Sequence, residues 1–233
     1  MPLRGVWDVE HVALDKKDTI HHTYQPDDPE LMAASLIIGT PDVRFSIGHL
    51  ECSQTNWQAR VTTWRDLFAK AFVRSNSASQ SKFPTPDDFG IAVGPEKATA
   101  YSLCPDSRSR FPKNSWAALK EADVLLLRYD EQLLFVLRRR SENAEPKPSF
   151  DCGKAVQAAE KAICKDFELA AMDRALDLAR RQLLEALPEK KDSLGKTQTQ
   201  WLKERDACGN DPKCIGQSIR RRIETLVWER RNG

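Results

Sequence analysis

The residues of this 233-residue chain whose types could carry chemistry are six cysteines, four histidines and a few adjacent carboxylates. Thiols ligate metals, cycle between redox states, or close structural disulfides. Cys52, Cys104, Cys152, Cys164, Cys208 and Cys214 include no C-x-x-C pair, which removes the zinc-ribbon and thioredoxin-type patterns. His11, His21, His22 and His49 all fall in the first 50 residues, far from four of the cysteines. A mixed Cys/His metal site is therefore not expected. An even cysteine count without metal spacing points to disulfides and an oxidising compartment. The expectation is a periplasmic or otherwise envelope-exported protein. Met1 to Arg4 do not read as a cleavable leader, which implies a mature chain whose leader has been removed.

Enzymatic patterns do not emerge. There is no G-x-S-x-G elbow, no H-E-x-x-H helix and no G-x-x-x-x-G-K-[ST] loop. His21 and His22 would point to opposite faces of a strand, and beside Tyr24-Gln25-Pro26-Asp27 they read as loop residues. Asp27-Asp28 and Asp87-Asp88 adjoin prolines and read as turn residues. Glycosidase carboxyls, by contrast, must face each other across ~5–10 Å. The chain is expected to be no enzyme, with no cofactor and no metal. Its 36 basic and 34 acidic side chains give a net charge of +2, which excludes nucleic-acid binding by bulk charge. No apolar run approaches the ~18–20 residues of a transmembrane segment.

Two halves with different periodicity must position these groups. A polar, proline-broken connector, residues 141–149, separates residues 1–140 from residues 150–233. The first half has period two. Trp7, Val9 and His11 alternate with Asp8 and Glu10, and Val43, Phe45 and Ile47 with Arg44, Ser46 and Gly48. Leu125–Arg128 and Leu133–Leu137 read as a buried hairpin around Asp130-Glu131. Val61, Trp64, Leu67, Phe68, Ala71 and Phe72 recur at helical spacing and predict one amphipathic helix over roughly residues 57–74. The second half is helical: a short helix near 154–163, then a stripe through Leu169, Met172, Leu176, Ala179, Leu183 and Leu187. A helix near 193–207 carries Trp201 and Leu202 inward, and Asp211-Pro212 caps a last helix through Ile215, Ile219, Ile223 and Leu226. The fold class is α+β: a strand-rich domain with one helix, then an all-α, disulfide-stapled domain.

A short link after the long stripe predicts antiparallel packing of that helix with the next. Cys152, Cys164, Cys208 and Cys214 would then share one end of the helical domain, leaving Cys52 and Cys104 to the first half. Fifteen possible pairings fall to three. The favoured map is Cys52–Cys104, Cys152–Cys164 and Cys208–Cys214. The last of these would hold Gly209-Asn210-Asp211-Pro212-Lys213 between two sulfurs, with Lys213 as a projecting cation.

The C-terminal residues resemble a known family. Phe150-Asp151-Cys152, Glu160-x-x-Ile163-Cys164, Leu169, Asp173, Gln200-Trp201-x-x-x-Arg205-Asp206-x-Cys208, Cys214 and Arg222-Ile223-x-x-Leu226 look like the LprI-type lysozyme-inhibitor domain over residues 150–228. One departure is that Ala179 to Gln182 holds no tyrosine. At the other end, Leu3-x-Gly5-x-Trp7 is similar to the Gly-x-Trp opening of lipocalin-type barrels. That resemblance implies a barrel-like, lipocalin-like first domain whose floor is closed by Trp7 and a late arginine from Arg138, Arg139 and Arg140, with Arg138 taken as the partner.

The LprI-type resemblance implies a non-catalytic bacterial envelope protein that binds and inhibits a peptidoglycan hydrolase, either a host lysozyme or a rival's effector met by an immunity protein. Such hydrolases offer paired carboxylates in a cleft. A rigid loop carrying Asn210, Asp211 and Lys213, with Arg205 nearby, could occupy it. Alternatives are a lipocalin-like carrier of a small apolar ligand and an architectural envelope protein. Residues 1–148 carry net −1 and residues 149–233 net +3, so nothing here steers a strongly basic animal lysozyme. A near-neutral bacterial hydrolase suits the chain better. Arg220, Arg221, Arg222, Arg230 and Arg231 form the main basic cluster, which reads as a solvated helix face with weak contact to anionic envelope as an alternative.

Overall fold

A computed structural model of the protein describes residues 2–18, 24–55, 57–72, 83–94, 97–105, 111–130 and 133–233. It divides into two units, Met1–Ser141 and Glu142–Gly233. The boundary lies at the start of the expected connector rather than its end. The reason is local to the second unit: Ser149 donates from its backbone N and Oγ to Asp173 Oδ2 at 2.7 and 2.6 Å. Arg174 also donates to the Lys147 carbonyl. Residues 147–149 are thereby pinned to the long helix.

The first unit is one antiparallel sheet. Its strands are β1 (Gly5–Ala13), β2 (Ser35–Ile38), β3 (Asp42–Phe45), β4 (Leu50–Ser53), β5 (Ala59–Thr63), β6 (Lys97–Ser102), β7 (Trp116–Glu121), β8 (Val124–Arg128) and β9 (Leu134–Arg139), with the one-turn helix α1 (Pro29–Met32) before β2 and helix α2 (Trp64–Ala71) after β5. The spatial order is β4-β3-β2-β1-β9-β8-β7-β6-β5. Period two decides which core each residue joins. Leu125, Leu127, Phe135 and Leu137 enter one buried cluster with Trp7, Leu36, Ile38, Val43 and Phe45. Their neighbours Val124, Leu126, Leu134 and Val136 enter a second, with Trp64, Leu67 and Phe68 of α2. Because β8 and β9 are buried on both faces, they read as continuous apolar runs.

Four expectations need correction here. First, the sheet is open: β4 and β5 are its edges and do not pair, so there is no closed lipocalin-like barrel. Nine flat strands would span about 38 Å, yet the residues 54–58 joining the two edges reach only about 20 Å. The sheet must therefore curl until its edges approach. Closure by a ladder is pre-empted because the end of β4 is tied to the last residue of β6 and to the residues just after it. Cys52–Cys104 is a disulfide, the Gln54 side chain donates to the Ser102 carbonyl at 2.8 Å, and its Oε1 accepts from Cys104 N at 2.8 Å. Second, the register of β1 shifts between Val9 and His11, so Val12 takes the inward place and His11 is exposed. Third, the helix expected over 57–74 begins only at Trp64. β-Branched Val61, Thr62 and Thr63 favour the extended state, and the Thr63 side chain accepts from Asp66 N at 3.0 Å as the N-cap. Likewise Ile47 leaves the β3 alternation for a 3₁₀ turn, Ile47–His49.

The second unit holds α3 (Ala158–Ile163), α4 (Phe167–Ala186), α5 (Lys191–Asp206) and α6 (Pro212–Asn232). The favoured disulfide map holds: Cys152–Cys164 and Cys208–Cys214 are both closed. The packing expectation does not. α4 lies chiefly along α6, whereas α5 packs on α6 and α3. Leu169 and Met172 meet Gly216, and Arg230 donates to Gln182 at 3.1 Å, so α4 and α6 run parallel. α5 returns antiparallel to α6, with Arg222 bonded to Thr197 at 2.9 Å and Trp201 Nε1 to the Ser218 carbonyl at 3.4 Å. Sequence adjacency misleads because Ala175, Ala179 and Leu183 on α4 match the long apolar stripe of α6. By comparison α5 buries only Leu194, Trp201 and Arg205.

Candidate functional site

Trp7 sits fully buried on β1, its indole N–H donating to the Leu3 carbonyl at 2.8 Å. The guanidinium over its ring belongs to Arg139, 4.0 Å from the ring centroid, and not to Arg138. Register decides this: Trp7 pairs directly with Arg139 across β1 and β9. Arg138 points to the other face, where it bridges Glu10 at 2.9 Å and Asp123 at 2.7 Å. Those two carboxylates hold its charged form above the ordinary arginine range. Arg139 also donates to the carbonyls of Arg4 and Pro2, at 2.5 and 2.6 Å. Gly5 makes room for it. Its φ is +142°, and a Cβ there would lie 2.9 Å from the Arg139 guanidinium. Gly5, Trp7 and Arg139 thus act as one unit that fixes the start of the chain on the sheet.

The disulfide-clipped end of the helical unit holds the remaining candidates. Arg205 is 3% exposed, 2.6 Å from Asp206 Oδ1, 3.8 Å from Glu160 and 5.5 Å from the centroid of Trp201. A side chain so enclosed fastens α3 to α5 and cannot reach a partner, which removes it from the contact set. Asn210, Asp211 and Lys213 are exposed. Asp211 accepts from the backbone N of Lys213 at 2.9 Å and of Cys214 at 3.4 Å, so its carboxylate is spent as the α6 cap. Gly209 supplies the left-handed turn, φ +60°, that reverses the chain between α5 and α6. The loop is thus fixed at both ends by helices and at its base by the Cys208–Cys214 bridge, with Lys213 outward on it.

Glu160 belongs to the same end, and nothing in its residue type or spacing marks it apart from its place in the family string. Its carboxylate accepts from Gln157 N at 3.0 Å and Val156 N at 2.8 Å, which with the nearby Arg205 charge holds it below the ordinary carboxylate range. A carboxylate with a lowered folded-state value stabilises above its unfolded value and loses that contribution as pH falls through the folded one. The helical unit should accordingly weaken as pH falls below the ordinary carboxylate range. Thermal unfolding followed from neutral to acid pH should fall less steeply for Glu160→Gln than for the natural chain. Equal slopes would contradict this linkage.

The other candidate groups are structural where described. Asp28 caps α1 through Glu30 N at 3.1 Å. Asp88 forms a capping box with Thr85 and pairs with Lys17 at 2.7 Å. Asp27 accepts from Val12 N at 2.9 Å and lies 3.4 Å from His11. His21 and His22 lie outside the described residues. Among the described residues no cluster of His, Cys, Asp or Glu could hold a metal ion, and no helix is long and apolar enough to cross a membrane. Comparison with family models, curated proteins and solved structures gave no match, so the LprI-type resemblance rests on the residues of 150–228 themselves.

Proposed function

We propose that the protein is an envelope-exported, non-catalytic inhibitor of a peptidoglycan hydrolase, with the loop Cys208–Cys214 as its contact element. One observation supports this above the others. A five-residue loop is held by a disulfide and a helix cap, with Lys213 exposed on it. A preorganised loop pays little ordering entropy on binding, and a cation suits a cleft lined by carboxylates. The three disulfides fit an oxidising compartment, with the periplasm as the proposed one. The carrier reading loses its premise with the open sheet, one face of which carries a buried cluster that includes Trp7, Phe45 and Phe135, the two phenyl rings in edge contact.

Cell-wall lysis by a panel of bacterial and host hydrolases should be suppressed by stoichiometric protein for at least one bacterial enzyme. Lys213→Ala should weaken that inhibition roughly 30-fold, as for a central interface residue. Its unfolding temperature should be unchanged. If no panel member is inhibited and no partner is captured from envelope or competitor secretions, the inhibitor reading fails.

A further inference from the structure

The basic cluster near the C-terminus does not survive as a cluster. Arg222 is buried, bonded to Thr197 and Gln198, and burial lowers its affinity for its proton. Arg230 is turned toward Gln182 of α4. The opposite side of α6 presents something the sequence does not announce. The buried stripe runs through Ile215, Ile219, Arg222, Ile223, Leu226 and Val227. At 100° per residue the centre of the opposite face falls on Arg221 and Trp228. Trp228 is 65% exposed, the second most exposed of the large hydrophobic residues in the helical unit after Val156 at 74%. Along the same side lie exposed Lys213, Arg220, Arg221 and Arg231, against Glu224 as the acidic side chain.

We infer that this face of α6 docks on an anionic lipid surface, with Trp228 entering the headgroup layer and Arg220 and Arg221 pairing with lipid phosphates. Three properties favour a bilayer over other anionic partners. An exposed indole amid arginines matches the residue types enriched where bilayer meets water. The face is the solvent-facing side of one 21-residue helix, which a planar surface can contact along its length. The cations are spread from Lys213 to Arg231, roughly 27 Å of helix, rather than gathered on one point. No helix among the described residues is long and apolar enough to cross a membrane; the contact inferred is peripheral, lying along the surface. This inference is independent of the inhibitor reading, since its readout contains no hydrolase.

The test is co-sedimentation of the full chain with phosphatidylglycerol-rich vesicles and with pure phosphatidylcholine vesicles. Binding should require the anionic lipid and fall steeply at about 0.5 M salt. Arg221→Glu, which removes one cation and adds an anion, should weaken partitioning about 25-fold, and Trp228→Ser should abolish it. Lys196→Glu, on the exposed side of α5, should change it far less. Matching circular dichroism melts would show that the variants fold, as expected for solvent-facing positions. Equal binding to neutral vesicles, no binding at low salt, or full binding by Arg221→Glu would overturn the inference. So would Trp228-dependent capture on a soluble polyanion with no vesicle binding, which would assign the face to acidic glycan instead.

Discussion

Trp7→Ala is expected to destabilise the N-terminal unit by about 3–5 kcal/mol, the cost of deleting a buried aromatic side chain. Trp7 is 0% exposed and its indole N–H is bonded to Leu3, so truncation leaves both a cavity and an orphaned carbonyl. Part of the loss belongs to the stacked cation. Arg139→Ala should therefore cost about 1 kcal/mol in the natural background and much less once Trp7 is gone, a coupling in the range of a partly exposed cation–π pair. Arg138→Ala should show no coupling with Trp7, because its partners are Glu10 and Asp123 on the other face. Urea unfolding of the three single and two double variants, with hydrogen exchange on β1 and β9 amides to localise the loss, measures both cycles. Coupling to Arg138 instead would mean the β1–β9 register is wrong by one residue.

That one-residue distinction marks where the sequence stops being sufficient. Gly5-x-Trp7 and a run of three arginines are visible in the chain, but which arginine meets the ring depends on the β1–β9 register. That register is shifted by a bulge after Val9 that no residue type announces. The open sheet has the same origin. A Gly-x-Trp start is compatible with a closed barrel, and only the tie of Gln54 and Cys52 to residues 102–104 shows the edges held together without pairing. Local features read well by contrast. The Asp211-Pro212 cap, the α4 stripe and the two short disulfide loops are set by neighbours in sequence. Sequence adjacency points α4 to α5, but packing follows matching stripes, and α6 matches α4 better than the shorter stripe of α5 does. Trp228 carries no signal in the sequence because an aromatic residue at helical spacing is ordinarily core. Its exposure appears only when the buried arc of α6 is drawn.

Arg205 tests whether the clipped end of the helical unit is held by its charge as well as by its disulfides. Arg205→Ala should cost the helical unit about 2–4 kcal/mol. The range lies below that of a fully buried pair because Glu160 and Asp206 remain about a quarter exposed and recover hydration once the guanidinium is gone. Arg205→Met keeps most of the packing on Trp201 and leaves only the charge unreplaced, so its loss should be about half as large. Both disulfides persist in either variant, so α3 stays tethered at Cys164 while losing its link to α5 through Glu160. Hydrogen exchange should then quicken in α3 before α4 or α6. The consequence for inhibition has the opposite signature to that of Lys213→Ala. Lys213 is solvent-facing, so its loss should reduce potency without altering stability. Arg205 is enclosed, so its loss should alter stability while the covalently closed loop keeps most of its potency at temperatures where the unit is folded. A variant pair that lost potency and stability together would make the loop a structural joint between α5 and α6 rather than the contact element.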